Sequence, residues 1–93
     1  MENLIIFGNS IFADMAIYYF KKFTNYKINY VVCDKQFIKK KYFNNIKVIP
    51  SEKLTKLDKK KYKLFIAVGY SKMNKVRENI FIKYKKLNFK FVN

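Results

Sequence analysis

The sequence contains no histidine and only one cysteine, Cys33, among its 93 residues. On its own it therefore cannot build a disulfide framework, a zinc finger, a histidine-based acid–base pair or a Ser-His-Asp triad. Acidic residues are also scarce, and the 6 that are present are too dispersed for a paired-carboxylate site or a metal cage. We predict no catalytic residue and no metal site in this chain, and we interpret Cys33 as a core residue rather than a nucleophile.

Long hydrophobic runs are missing as well. The longest, Leu4–Phe7 and Phe65–Val68, are far shorter than the roughly 20 residues that a membrane-spanning helix needs. No basic segment precedes the first apolar run, so we expect no secretory signal and no membrane partner. An unpaired thiol suits a reducing compartment, and we predict a cytoplasmic protein.

Positive charge is abundant, but it is almost entirely lysine. The 21 basic residues outnumber the 6 acidic ones to give a net charge of +15, and only Arg77 is arginine. Such a charge is typical of proteins that bind nucleic acids or phosphorylated ligands. The lysine runs 39–41 and 59–61, however, lack both the arginine fork and the interleaved aromatic rings of nucleic-acid readers. We interpret both runs as solvated loops, and nucleic-acid binding is the least favoured function.

Two continuous apolar segments, each ended by a glycine, predict central strands of a parallel sheet. They are 3–7 before Gly8 and 64–68 before Gly69. After the first, apolar residues recur at the three- and four-residue spacing of an amphipathic helix. Its predicted inward stripe is Phe12, Met15, Ala16, Tyr19, Phe20 and Phe23.

The remaining segments complete an open α/β fold. Residues 28–33 predict a second strand, 35–45 a loop with room for one helical turn, and 46–49, closed by Pro50, a short edge strand. A short helix from residue 51 to about 57, a helix starting at residue 71 and a last strand over 89–92 follow. We predict one small Rossmann-like domain over residues 1–93, with about five parallel strands in the order 3-2-1-4-5 flanked by helices.

Ligands of such sheets bind at the carboxyl ends of the strands, where the strand order reverses. Here that point lies between the first and fourth strands. The residues expected to converge on it are Gly8, Asn9, Ser10, Ile11 and Phe12 from the first loop, Gly69, Tyr70 and Ser71 from the fourth strand, and Asp34 from the second. Amides at the helix N-terminus, with Asn9 and Ser10, would cradle a phosphate, and Asp34 stands where dinucleotide-binding folds hold a ribose hydroxyl.

The glycine pattern of that first loop is incomplete. Ser10 stands where a pyrophosphate needs bare backbone, which disfavours ordinary NAD or FAD binding. A plain strand-to-helix connection capped by Ser10 remains an alternative interpretation. Arg77 is a candidate either for a phosphate contact or for a pair with Glu78.

Several of these segments resemble the N-terminal domain of bacterial sugar O- and N-acyltransferases, the group of sialic acid O-acetyltransferases and nucleotide-sugar N-acetyltransferases. The segments are Ile5–Ala16, Val31–Asp34, Val48–Pro50 and, most specifically, Ala67–Glu78 with its Gly-Tyr-x-x-Met-Asn-x-x-Arg pattern. The resemblance implies a Rossmann-like domain that binds a nucleotide-sugar acceptor. It also implies that a trimeric left-handed β-helix, which carries the catalytic histidine and binds acetyl-CoA, is absent from this chain.

Carried over by position, the resemblance assigns residues 8–12 to the sugar-nucleotide phosphates, Asp34 and Lys35 to the nucleoside, and residues 69–71 to the opposite wall. The expected ligand is a UDP- or dTDP-linked amino sugar, and acetyl-CoA is a co-substrate of the full-length enzymes rather than a cofactor of this domain. We therefore expect binding without catalysis, by a monomer or weak oligomer. The alternatives are a stand-alone module for NAD or a mononucleotide and, last, a basic nucleic-acid binder.

Overall fold

The computed structural model describes residues 2–8, 10–67 and 74–92, which form six strands, three α-helices and one 3₁₀ turn. The strands are β1 (Asn3–Phe7), β2 (Lys27–Cys33), β3 (Tyr42–Phe43), β4 (Ile46–Pro50), β5 (Tyr62–Ile66) and β6 (Lys90–Phe91). The helices are α1 (Ile11–Phe23), α2 (Ser51–Leu54) and α3 (Asn74–Lys86), and a 3₁₀ turn spans Lys35–Phe37.

The strands form one sheet in the order β3-β4-β2-β1-β5-β6. Every pairing is parallel except that between β3 and β4. The parallel part, β4-β2-β1-β5-β6, reproduces the predicted order 3-2-1-4-5, so the α/β fold class is confirmed. Strand order reverses beside β1, because the chain moves from β1 to β2 on one side and returns to β5 on the other.

The antiparallel strand β3 was not predicted, and it changes the position of β4. We expected residues 35–45 to be a loop and the strand before Pro50 to be the sheet edge, but β3 covers that edge. The connecting residues Asn44 and Asn45 both have positive φ, 51° and 66°. Asparagine tolerates this left-handed backbone, which a two-residue hairpin turn requires.

Two hydrophobic clusters hold the layers together, one on each face of the sheet. On one face α1 packs against Leu4, Ile6 and Val31. On the other, Leu54 of α2 and Tyr84 of α3 pack against a second set: Ile5, Phe7, Val32, Ile49, Leu64 and Phe89. Alternate residues of β1 therefore supply both cores, as expected for a strand covered on both faces.

The predicted inward stripe of α1 is wrong at three of its six positions. Met15, Tyr19 and Phe23 are 62%, 53% and 63% exposed. Ala16 and Phe20 are buried as predicted, and the other buried residues of the helix are Ala13 and Ile17, which the stripe did not include. The two alanines let the helix lie close to the sheet, and the bulkier side chains are left on the outer side.

Other element bounds differ slightly from expectation. β5 begins at Tyr62 and ends at Ile66, α2 ends at Leu54, and α3 begins at Asn74 among the described residues. The lysine runs 39–41 and 59–61 lie in exposed loops and turns, as predicted. In the described part of the chain, no helix has the length and apolar character needed to cross a bilayer.

Candidate functional site

Backbone hydrogen bonds join the carboxyl ends of the three central strands. The amide of Gly8 donates to the carbonyl of Val32 at 2.7 Å, and the amide of Ala67 donates to the carbonyl of Phe7 at 2.8 Å. The chain leaving β1 is thus fixed between the ends of β2 and β5. This is the edge at which the sequence predicts ligand binding, because the strand order reverses here.

Gly8 is the tightest point of this edge. Its φ is +131°, and a β-carbon added there would lie 2.5 Å from the carbonyl oxygen of Ala67. Both the backbone conformation and the close approach exclude a side chain. The glycine that ends β1 is therefore required by packing between two strand ends, which is a structural role that any ligand site would build upon.

The N-terminus of α1 follows directly. The Ser10 hydroxyl accepts a 3.3 Å hydrogen bond from the amide of Phe12, and the Ser10 carbonyl accepts one from the amide of Asp14 at 3.1 Å. Ser10 is therefore an N-cap, as predicted. Phe12 is half-buried and packs against the α1-side core, whereas Ile11 is 69% exposed. The two side chains next to the cap thus point to different environments.

Asp34 lies at the same edge, immediately after β2. Its Oδ1 accepts a 2.7 Å hydrogen bond from the Ser51 hydroxyl, although both residues are near the surface. The parallel register pairs Cys33 with Pro50, so the next residue of each strand, Asp34 and Ser51, meet. The carboxylate is therefore held by one oxygen, and its exposed position leaves it open to a ligand.

The buried phenol of Tyr84 interacts with both Asp34 and Ser51. Tyr84 of α3 is 1% exposed, and its ring contacts Phe7 with the ring centroids 5.7 Å apart. Burial raises the pKa of Tyr84, and the negative charge of Asp34 adds to that rise, while a hydrogen bond with Ser51 acts in the opposite direction. Asp34, Ser51 and Tyr84 thus form one polar group, which we call the Asp34 cluster.

Cys33 and Lys35 flank Asp34 and differ in environment. Cys33 is buried, and burial, reinforced by the charge of Asp34, raises the pKa of its thiol. The reactive thiolate is therefore disfavoured, in agreement with the interpretation of Cys33 as a core residue. Lys35 directly follows Asp34, begins the 3₁₀ turn and is exposed.

The structure thus brings Gly8, Ser10, Asp34 and Lys35 to one edge of the sheet. Asn9, Gly69, Tyr70 and Ser71 lie outside the described residues. Ser51 and Tyr84 were missed by sequence reasoning. The sequence does contain a signal for Ser51. It directly follows a strand that is predicted to lie parallel to β2, so it should lie near Asp34, which directly follows β2.

Arg77 lies near the carboxyl ends of β5 and β6, on the side of the sheet edge away from β2. With Glu78 it lines a cleft of about 430 Å³ that also involves Phe65, Ile66, Phe81, Phe91 and Val92. No salt bridge joins Arg77 to Glu78 within the described ranges, where the recorded ion pair is Lys63 with Glu2 at 3.1 Å. The cleft adjoins the ends of β5 and β6 and is mainly apolar. Across residues 2–8, 10–67 and 74–92, no three histidine, cysteine, aspartate or glutamate residues are grouped as a metal site would require.

Comparison with known families gives one match. Residues 3–84 match the family model described as the PglD N-terminal domain, and PglD is an acetyltransferase in glycan synthesis. Neither the search of curated proteins nor that of solved structures found a significant match. The matched range includes every strand and helix described above except the end of α3 and β6.

Proposed function

Because this chain belongs to the family of PglD N-terminal domains, we propose that it is the acceptor-binding domain of an acetyl-CoA-dependent sugar acetyltransferase in glycan synthesis. Its ligand in this proposal is a UDP- or dTDP-linked amino sugar. Acetyl-CoA is the co-substrate of the complete enzyme, and the catalytic residues and the trimer contacts belong to a β-helix outside this chain. The domain itself binds the acceptor and does not transfer the acetyl group.

The observation that carries the proposal is that Asp34 and Gly8, which follow β2 and β1, lie at the same edge of the sheet. The Gly8 amide bonds to Val32, two residues before Asp34, so the turn and the carboxylate are fixed to the same strand end. A nucleotide sugar needs a contact for its phosphates and one for its ribose hydroxyls. Helix N-termini attract phosphates, and a carboxylate after the second strand accepts hydrogen bonds from ribose.

The charge of the surroundings also supports an anionic ligand. Lys35 is exposed next to Asp34, and the chain carries a net charge of +15. A positive field attracts a diphosphate from solution and raises the rate of its encounter with the site. The Asp34 carboxylate, held by Ser51 at 2.7 Å, would then select ligands whose hydroxyl groups can donate to it.

The test is calorimetric titration of the 93-residue chain at physiological salt with UDP-linked amino sugar, dTDP-linked amino sugar and NAD in parallel. The informative variant is Asp34→Asn, which keeps the shape of the side chain and removes its charge. The matched control is Asp58→Asn, since Asp58 is an exposed aspartate in the turn before β5, at the amino end of the sheet. A hydrogen bond to a charged group contributes about 1.5–3 kcal/mol, so Asp34→Asn should weaken binding about 10- to 150-fold.

Saturable binding of a pyrimidine nucleotide sugar that is lost in Asp34→Asn and kept in Asp58→Asn supports the proposal. Binding of NAD alone would assign the chain to a nucleotide-sensing class instead. Oligonucleotide binding that falls steeply with salt and ignores Asp34→Asn would assign it to nucleic acid. Acetyl transfer catalysed by the chain alone, or no binding of any of these ligands, would refute the proposal.

A further inference from the structure

The outer face of α1 carries an apolar surface with nothing packed on it in the described structure. We call it the outer stripe; its members are Ile11, Met15, Tyr18, Tyr19 and Phe23, exposed by 69%, 62%, 61%, 53% and 63%. Ile11, Met15, Tyr18 and Tyr19 lie on the side of the helix away from the buried Ala13, Ile17 and Phe20, and Phe23, the last residue of α1, extends the stripe through its contact with Tyr19. Single exposed apolar residues are common, but a contiguous stripe of five marks a contact surface.

The side chains of the outer stripe are already ordered by one another. The rings of Tyr19 and Phe23 lie 5.4 Å apart between centroids. Lys22 donates a 2.9 Å hydrogen bond to the Tyr18 hydroxyl, and its ammonium lies 5.3 Å from the Tyr18 ring centroid and 5.7 Å from that of Phe23. A partner that binds here therefore meets a partly organised surface, which lowers the entropic cost of association.

One flank of the outer stripe carries two opposite charges. Asp14 lies in the first turn of α1 and Lys21 in the last. The two residues are seven positions apart, which is about two helical turns, so they lie on the same side of the helix. Neither forms a salt bridge within the described residues, although Asn44 donates a hydrogen bond to Asp14. The flank is thus acidic at one end of the helix and basic at the other.

We propose that the outer stripe binds a second copy of this chain, with the two α1 helices antiparallel about a two-fold axis between residues 17 and 18. In an isologous contact, residues equidistant from the axis face each other, so Asp14 meets Lys21 of the second copy and the reverse pair forms as well. The stripe packs against itself, and the two helix dipoles run in opposite directions. A parallel arrangement would instead place Asp14 against Asp14 and Lys21 against Lys21.

The size of the contact sets its strength. A helix of 13 residues is about 20 Å long, so one helix pair buries less than the roughly 800 Å² per partner of a standard interface. The net charge of +15 on each copy also opposes association. The dimer is therefore weak and concentration-dependent, with a dissociation constant in the micromolar range or above.

Sedimentation equilibrium over a wide concentration range at physiological salt tests the dimer. Asp14→Lys and Lys21→Asp each replace both attractive pairs by like charges, and each should raise the dissociation constant about tenfold. The combined variant restores opposite charges and should return to within about threefold of the wild type. Met15→Ser should weaken the dimer by at least about tenfold, because it removes a central apolar contact. Ile82→Ser is the control, since Ile82 is an exposed apolar residue on α3, on the other face of the sheet.

A second readout does not depend on charge. Tyr18→Cys places a thiol next to the proposed axis, so mild oxidation should link two copies, whereas Ile82→Cys should not link them at the same concentration. Circular dichroism of each variant checks that the helices remain. A wild type that is monomeric at every concentration overturns the proposal, as does failure of the charge-swapped pair to recover. Monomers that bind anionic lipid vesicles through Met15 and Tyr18 would assign the outer stripe to a membrane surface and also overturn it.

Discussion

Phe20 and Phe23 are three positions apart on α1 and face opposite environments: Phe20 is 3% exposed, and Phe23 is 63% exposed. The Phe20 ring packs edge-to-face against Phe65 with the centroids 5.1 Å apart, while Phe23 contacts Tyr19 on the outer side. The contrast between these two rings shows which side of α1 packs against the sheet. The same substitution at the two positions tests that assignment.

Phe20→Ala should lower the free energy of unfolding by about 3–5 kcal/mol, because it leaves a cavity beside Phe65. Phe23→Ala should change it by less than about 0.5 kcal/mol, since that ring is on the surface. Urea denaturation of dilute samples followed by circular dichroism measures both. Equal losses for the two variants would mean that the orientation of α1 is different from the one described.

Gly8→Ala should destabilise the protein by on the order of 2–5 kcal/mol. The new β-carbon would meet the Ala67 carbonyl oxygen at 2.5 Å, and a φ of +131° is unfavourable for alanine. Ser10→Ala, two residues along the chain, is the comparison and should lose only about 1 kcal/mol with its N-cap hydrogen bond. A Gly8→Ala protein as stable as Ser10→Ala would contradict the close approach of β1 and β5.

Ser51→Ala should weaken nucleotide-sugar binding about 2- to 10-fold if the proposed function is right, because Asp34 loses the hydroxyl that orients it. Ser51→Thr keeps a hydroxyl at this position and should restore most of the affinity. Calorimetry of both variants alongside the wild type gives the comparison. Equal affinities for the alanine and threonine variants would show that Ser51 does not position Asp34.

The pKa of Tyr84 predicts a contribution to stability that depends on pH. Since burial raises this pKa, the folded state holds the phenol proton more tightly than the unfolded state does. The resulting stability is present in full below the unfolded pKa of about 10 and is lost as pH rises through the higher folded value.

Thermal unfolding between neutral pH and the alkaline limit measures this contribution. Above about pH 10 the wild type should lose stability more steeply than Tyr84→Phe, which has no proton to release. Burial also raises the pKa values of Cys33 and Tyr62, but these groups titrate in both proteins and cancel in the difference. Parallel pH profiles would mean that the phenol of Tyr84 is not shielded from solvent.

The central part of the fold could be predicted from the sequence because strands that are buried on both faces have continuous apolar sequences. β1 and β5 are apolar at nearly every position and β2 is rich in β-branched and aromatic residues, so the sequence predicts these three neighbouring strands and the ends of β1 and β2. Asp34 was placed at the sheet edge for the same reason, since it directly follows β2. Strand β3 has two residues, too few for any alternation to be recognised.

What the sequence could not reveal depends on contacts between distant segments. Helix α1 has apolar residues on both sides, so spacing alone could not decide that Ala13 and Ile17, rather than Met15 and Tyr19, face the sheet. Ser51 became part of the Asp34 cluster through the register that pairs Cys33 with Pro50. Tyr84 joined it through the packing of α3, which no local pattern of charge or polarity indicates.

The hydrogen bonds from Gly8 to Val32 and from Ala67 to Phe7 have a consequence for how this edge can change. Both use only backbone atoms, so the alignment of the three strand ends needs no side-chain hydrogen bond and requires only that Gly8 carry no β-carbon. Under the proposed function, substitutions at Ile11 or Lys35 would therefore alter which ligand the edge binds and leave the strand alignment unchanged. The proposal thus implies that ligand preference and folding are separable here, so that a new specificity would not require a new scaffold.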